Sequence, residues 1–262
     1  MENSILLSII IPVYNLEKYI LPCLESILNN KDISPNIFEI ILVNDGSSDN
    51  SYMLIKAFID KNPEYKIKIY TQENQGVSSA RNLGFKNAQG KYVWFIDGDD
   101  AIICGSLNFL TTVIKKFDVD IIHLGKPLQN HLFEDNSIIQ QCINKGKAEE
   151  YQLIPAYQLF TPSYSFDHKI FLWKKSFLVE HHLQYPLGIS QNEDFDFLIH
   201  ALLKANLAYT NSTFQFYLYR EMRKSASRGT YDYLRYDKFI QNKFFVINDI
   251  IKLGYKNKKK QI

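Results

Sequence analysis

Asp97-Gly98-Asp99-Asp100 puts three carboxylates into four residues, directly behind the apolar run Tyr92 to Ile96. Carboxylates crowded at the end of a buried strand repel one another and resist losing water. A divalent cation relieves both costs. Hard oxygen ligands suit Mg²⁺ or Mn²⁺, which bind through one or two carboxylates and complete their shell with water and substrate phosphate. The plain alternative is an acidic turn in which Asp99 or Asp100 caps the following helix. Two more polar clusters close apolar runs in the same way. Tyr14-Asn15 follows Ser8 to Val13, and Asn44-Asp45 follows Phe38 to Val43. A further acidic group, Asn192-Glu193-Asp194, opens a helical stripe far along the chain, where an acid also interacts with the helix dipole.

These clusters need a scaffold that brings strand ends together. Ser8 to Val13, Phe38 to Val43, Lys66 to Tyr70 and Tyr92 to Ile96 read as short buried strands, and helical stripes alternate with them. Leu16, Tyr19, Ile20, Cys23, Leu24, Ile27 and Leu28 form the first stripe, with Pro22 bending the helix or delaying its start. Asp49 or Ser48 caps a second helix that runs to about Ile59. Val77 to Ala88 is a third, with Ala80, Leu83, Gly84 and Ala88 on one small face and Gly90 as its stop. Strand and helix in alternation give a parallel, doubly wound α/β sheet, and open α/β sheets bind ligands at the carboxyl ends of their strands.

Further along, Leu107, Leu110, Ile114 and Phe117 mark a helix, Asp118 to Leu124 a strand, Lys169 to Trp173 a strand, and Lys174 to His182 a short helix. Phe195, Leu198, Ile199 and Leu202 face inward from the next helix, and Phe214 to Tyr219 is strand-like. Pro127 to Ile154 is polar and weakly periodic, read as a loop with one hairpin. The last stripe, Tyr233, Tyr236, Ile240, Phe244, Ile247 and Ile251, precedes Lys256 and Lys258 to Lys260, a pattern suited to an anionic membrane surface or to packing on the domain.

The chain has 262 residues, 46% of them apolar, enough for one large α/β domain. A net charge of +2 gives no argument for nucleic acid. Cys23, Cys104 and Cys142 form neither a metal pattern nor an even disulfide set, which points to a reducing, cytoplasmic setting. Ile5 to Val13 is too short to span a membrane and lacks a basic leader or cleavage site, so a soluble or peripheral protein is expected. Oligomeric state is not legible.

Ser8 to Asn15 (SIIIPVYN), Val43 to Ser51 (VNDGSSDNS), Asn74 to Asp100 and Asn192 to Phe197 (NEDFDF) together resemble the successive signatures of the family 2 glycosyltransferases. The resemblance covers most of the first hundred residues and two later patches. It implies the GT-A fold: a Rossmann-like, mostly parallel sheet flanked by helices, with a C-terminal acceptor-side and helical extension. On that plan residues 1–229 are the GT-A domain, 1–100 its nucleotide-sugar-binding half and 101–229 its acceptor-side half, and residues 230–262 are an amphipathic helix with a basic tail. The implied donor is a nucleotide sugar, usually a uridine diphosphate sugar. Pro12, Tyr14 and Asn15 would line the base, Asp45 would accept from the uracil edge, and Arg81 would lie near base and diphosphate. Asp97 would reach ribose or sugar hydroxyls, and Asp99 would hold Mn²⁺ or Mg²⁺, with Asp97 and Asp100 as further ligands. Asn44 stands where many relatives have Asp, with little consequence expected. Asp194 would be the general base, with Glu193 as rival and, with Trp173, on the acceptor side. Arg220 or Arg228 would close over the diphosphate, Ser225 belonging to the same weak signature.

One displacement at the anomeric carbon then inverts configuration, with Asp194 taking the proton of a hydroxyl on a glycan or lipid-linked saccharide. The six histidines are read as core or surface residues, His168 being the one that would reach metal or phosphate if any does. Two other classes stay open. A nucleotidyltransferase on a similar sheet would carry a glycine-rich basic loop where Pro12-Val13-Tyr14-Asn15 stands. A non-catalytic carbohydrate or membrane-surface module would have no use for both Asp99 and Asp194.

Overall fold

The computed structural model describes residues 4–125, 128–130, 151–160, 167–188, 192–211 and 216–220. Strand β1 (Leu7–Val13), helix α1 (Ile20–Leu28), β2 (Phe38–Asp45), α2 (Ser51–Lys61), β3 (Ile67–Gln72), α3 (Val77–Asn87) and β4 (Tyr92–Phe95) alternate as the sequence pattern requires. Then come β5 (Ala101–Ile102), α4 (Ser106–Lys116), β6 (Ile121–His123), β7 (Leu128–Asn130), β8 (Tyr151–Pro155), β9 (Phe171–Lys174), α5 (Lys175–Glu180), α6 (Glu193–Lys204), β10 (Leu207–Asn211) and β11 (Tyr217–Arg220). An eight-stranded sheet runs in the order β3-β2-β1-β4-β9-β6-β10-β8, and a small sheet in the order β5-β11-β7.

The first four strands of the large sheet are parallel, so the carboxyl ends of β1, β2 and β4 share one rim. Every residue of these three strands is buried, which is why they read as largely apolar runs and not as alternating patterns. Strand β9 then enters antiparallel to both β4 and β6. Its apolar run announces burial but carries no sign of direction. Residues Met1–Glu221 form one compact unit and Met222–Ile262 a second. The final amphipathic stripe and its lysines, Ser225, Arg228, His131 and Cys142 lie outside the described residues. Among the described residues, no helix is long and apolar enough to cross a membrane.

Local chemistry explains the element bounds. Pro22 sits in the first turn of α1, where its missing N–H costs nothing, so it delays the helix and does not bend it. Asp49 accepts from the Ser51 N–H at 2.9 Å as α2 opens, while Asn50 holds the cap position without a side-chain capping bond. Helix α3 lies against β1 so closely that a Cβ on Gly84 would stand 2.4 Å from Ile10 Cγ2. Gly90 does not stop that helix. The backbone already turns extended at Ala88, and a Cβ on Gly90 would stand 2.5 Å from the Ser8 nitrogen. Gly90 is thus a close-approach residue between the α3–β4 turn and β1, and its N–H donates to Ser8 Oγ at 2.8 Å. In α6 the inward aromatic is Phe197, with Phe195 only half-buried.

Candidate active site

At the carboxyl end of β4 the chain turns through Asp97, Asp99 and Asp100, which bring one carboxylate oxygen each to within 4.8 Å of one another. Each has a different setting. Asp97 accepts from Arg81 Nη2 at 3.0 Å and stands 3.4 Å from Lys169 Nζ. Burial would raise its carboxyl, but the charges of Lys169 and Arg81 outweigh that and hold it far below the usual range. Asp100 accepts from the Tyr217 hydroxyl at 2.6 Å and from the Arg220 N–H at 2.8 Å. Burial, then the Asp97 charge, pushes its carboxyl up to about 8. The same two causes push Asp99 up to about 6. Raised carboxyls in a packed acid cluster mark negative charge without enough positive charge beside it, and a hard divalent cation would supply it. The donor set therefore fits such an ion, with Asp99 the carboxylate least committed to protein partners.

A second set of acids arrives on α6. Its first turn is acidic, with Glu193, Asp194 and Asp196 at the positive end of the helix dipole. Glu193 accepts from Arg81 Nη1 at 2.9 Å, so Arg81 ties the rim of β4 to the start of α6. The guanidinium lies 4.9 Å over the Tyr185 ring, which is stacked on Phe197 at 4.2 Å. Asp194 is turned outward, its side chain 39% exposed against 12% for Glu193. His168 Nδ1 lies 3.3 Å from Asp194 Oδ2, and His168 Nε2 lies 3.9 Å from Asp97 Oδ1. Burial would raise Asp194, but its bond to His168 and the N–H of Phe195 bring it down to about 2.

The structure brings some of the residues singled out in the sequence together and leaves others apart. Asp97, Asp99, Asp100, Arg81, Glu193, Asp194 and Arg220 form one connected constellation. Arg220 donates from Nε to the Asp99 carbonyl at 2.8 Å and lies 4.9 Å over Tyr19. Tyr14 is half exposed at the rim beyond β1. Asn15 holds a left-handed backbone and accepts from the Ser48 N–H at 2.8 Å, which staples the β1 and β2 ends together. Pro12 is buried inside β1 opposite Val43. Asp45 is also buried and accepts from Gln72 Nε2 and from the N–H groups of Gln75 and Gly76, shaping the loop before α3. Asn44 accepts from the Ser47 N–H at 3.1 Å, a bond an Asp would accept equally.

Two expectations are corrected. Arg81 is only 3% exposed and spans Asp97 and Glu193, so its guanidinium is engaged by carboxylates of the protein. Trp173 is wholly buried in β9, stacked on Phe171 and edge-on to Phe197, and can meet no acceptor. Lys169, which was not expected at the site, stands beside this constellation, as does His168, whose Nδ1 meets Asp194. Their one sequence signal is Asp167-His168-Lys169, three ionisable residues opening a buried run.

With this geometry in hand the comparisons are specific. Residues 8–131 match the model of Glycosyl transferase family 2. The uncharacterized glycosyltransferase EpsJ of Bacillus subtilis (strain 168) is 38% identical over 120 residues, 46% of this chain and 33% of that protein. The minor teichoic acid biosynthesis protein GgaB of the same organism is 41% identical over 119 residues, 44% of this chain and 13% of that protein. The chain thus spans a third or less of the length of these two relatives. In three dimensions it is similar to S. aureus TarS residues 1–349 in complex with UDP-GlcNAc, with a TM-score of 0.70 at 22% identity over 87% of this chain and 62% of that one. Residues 8–131 thus carry the match to the family 2 glycosyltransferases, and the mostly parallel sheet flanked by helices is that of a GT-A fold.

Proposed function

We propose that the chain is an inverting glycosyltransferase that moves a sugar from a nucleoside diphosphate donor, a uridine diphosphate sugar first, to a hydroxyl of a glycan or lipid-linked saccharide in the synthesis of bacterial cell-surface polysaccharide. The observation that carries this is the opposition of two acid sets. Asp97, Asp99 and Asp100 close β4, Asp194 opens α6, and Arg81 ties the two elements together through Asp97 and Glu193. The donor class is supported by the UDP-GlcNAc that TarS binds, and the acceptor class by the teichoic acid role in the name of GgaB.

Each residue then has a task. Tyr14 offers an exposed ring at the rim for the base, beside the loop that Asp45 shapes. Arg220 stands against Asp99 at the mouth of the cluster, placed to meet the diphosphate. A divalent ion held by Asp99, with Asp97 and Asp100 beside it, would offset the charge of the leaving diphosphate. Asp194 takes the proton of the acceptor hydroxyl as that oxygen attacks the anomeric carbon from the face opposite the diphosphate. One displacement inverts the sugar, and no covalent intermediate is required. Glu193 is spent on Arg81, which leaves Asp194 as the open acid. A screen of nucleotide sugars for donor hydrolysis, with Mn²⁺ and with excess chelator, tests the reading. Asp99→Ala should abolish turnover and remove the Mn²⁺ dependence of nucleotide affinity, whereas full activity in chelator would end the metal role.

A further inference from the structure

The acid cluster already contains a cation. Lys169 Nζ lies 3.4 Å from Asp97 Oδ2, 3.9 Å from Asp100 Oδ2 and 3.3 Å from Asp167 Oδ2. The ammonium is also 4.6 Å over the Tyr219 ring. Its side chain is buried to within a tenth, so water screens these contacts little. The backbone beneath it is fixed on both sides. The Lys169 carbonyl accepts from Trp94 Nε1 at 2.6 Å, and its N–H donates to Asp167 at 3.1 Å. A lysine so placed shares ligand oxygens with any divalent ion held by the same carboxylates, and two cations a few ångströms apart repel. We propose that Lys169 is a tethered competitor and partial substitute for the divalent cation. It offsets part of the cluster's negative charge while no metal is bound, lowers the affinity of the metal-free protein for the ion, and lets the site hold a nucleoside diphosphate weakly without metal.

This inference rests on the donor-site reading above, and the experiment separates the two. Mn²⁺ alone is titrated into the full chain and followed by electron paramagnetic resonance, with UDP affinity measured by calorimetry in Mn²⁺ and in excess chelator. Lys169→Met should bind Mn²⁺ at least about tenfold tighter than wild type, because one unit charge near the ligand oxygens is gone. It should also widen the ratio of UDP affinity with and without Mn²⁺ by about tenfold or more. Lys169→Arg should stay near wild type in both. Lys169→Gln carries the same expectation if the methionine variant fails to fold. Folded variants without the charge that match wild-type Mn²⁺ affinity overturn the proposal. So does a wild-type protein whose UDP binding vanishes in chelator, whatever the variants do. If Asp99→Asn loses Mn²⁺ binding while Lys169→Met leaves it unchanged, only the lysine role fails. If wild type binds neither Mn²⁺ nor UDP, the donor-site reading falls with it.

Discussion

Glu193 and Asp194 are neighbours in the chain with opposite surroundings. Glu193 points into the Arg81 guanidinium, and Asp194 points out beside His168. Their substitutions should therefore separate. Asp194→Asn should leave donor affinity nearly intact and cut the transfer rate by roughly 10²–10⁴-fold, the usual worth of a general base. Glu193→Gln should instead loosen Arg81 from Asp97 and weaken donor affinity, with a smaller loss of turnover. Donor calorimetry beside transfer rates checks both, and a dead Glu193→Gln beside an active Asp194→Asn would move the base to Glu193. The pH dependence follows from the same contacts. Asp194 is depressed to about 2, so it is ionised at neutral pH, and its stabilising effect is lost only as pH falls through that value. His168→Phe removes the bond that lowers it and leaves the burial that raises it. The ratio of wild-type to variant rate should then widen as pH falls from about 8 to about 5, a one-unit rise being worth tenfold in the protonation equilibrium. A ratio flat with pH would show that His168 does not set the state of Asp194. The types and order of the acids were legible in the sequence. The partner that each would keep was not, because Arg81, His168 and Lys169 meet them across more than one element.

At the scale of elements, the alternation of strands and helices through β4 could be read directly from runs of buried residues. What could not be read is how closely the layers approach. Gly84 fits the small-face reading of α3, whereas Gly90 looks like a helix stop until the β1 backbone is found against it. Gly84→Ala would gain roughly 1 kcal/mol of helix propensity, but its Cβ would stand 2.4 Å from a branch of Ile10, and β-branched side chains are stiff at χ1. Overpacking of this kind costs about 1–3 kcal/mol, so a net loss is expected. Gly90→Ala should cost more, since its Cβ would meet the Ser8 nitrogen and the Leu7 carbonyl carbon, neither of which can rotate away. Denaturant midpoints at unchanged m-value check the order. A neutral Gly90→Ala would mean that the α3–β4 turn yields easily and is not pinned to β1.

For the whole molecule, the proposed division into a donor half and an acceptor half is not a division of the fold. Strand β4 from the first half is paired on one side with β1 and on the other with β9, which belongs to the second half. Trp94 and Trp173, the two tryptophans of the chain, sit on these paired strands, with Val93 opposite Trp173 and Trp94 opposite Leu172. Both are fully buried. Phe95 packs on Tyr185 and Phe197, so aromatic contacts join the halves as well as backbone bonds do. A seam of this kind gives neither half a complete apolar layer of its own, and residues 1–221 should unfold as one cooperative body. Two single-tryptophan proteins test this. Trp173→Phe leaves the probe in the first half, and Trp94→Phe leaves it in the second. In guanidinium, each protein's fluorescence midpoint should coincide with its own far-ultraviolet circular dichroism midpoint, since loss of β4–β9 pairing exposes either indole at once. If the Trp94 signal persists after the Trp173 signal has gone, the donor half stands alone, and the acceptor-side acids are carried on a separately folding layer.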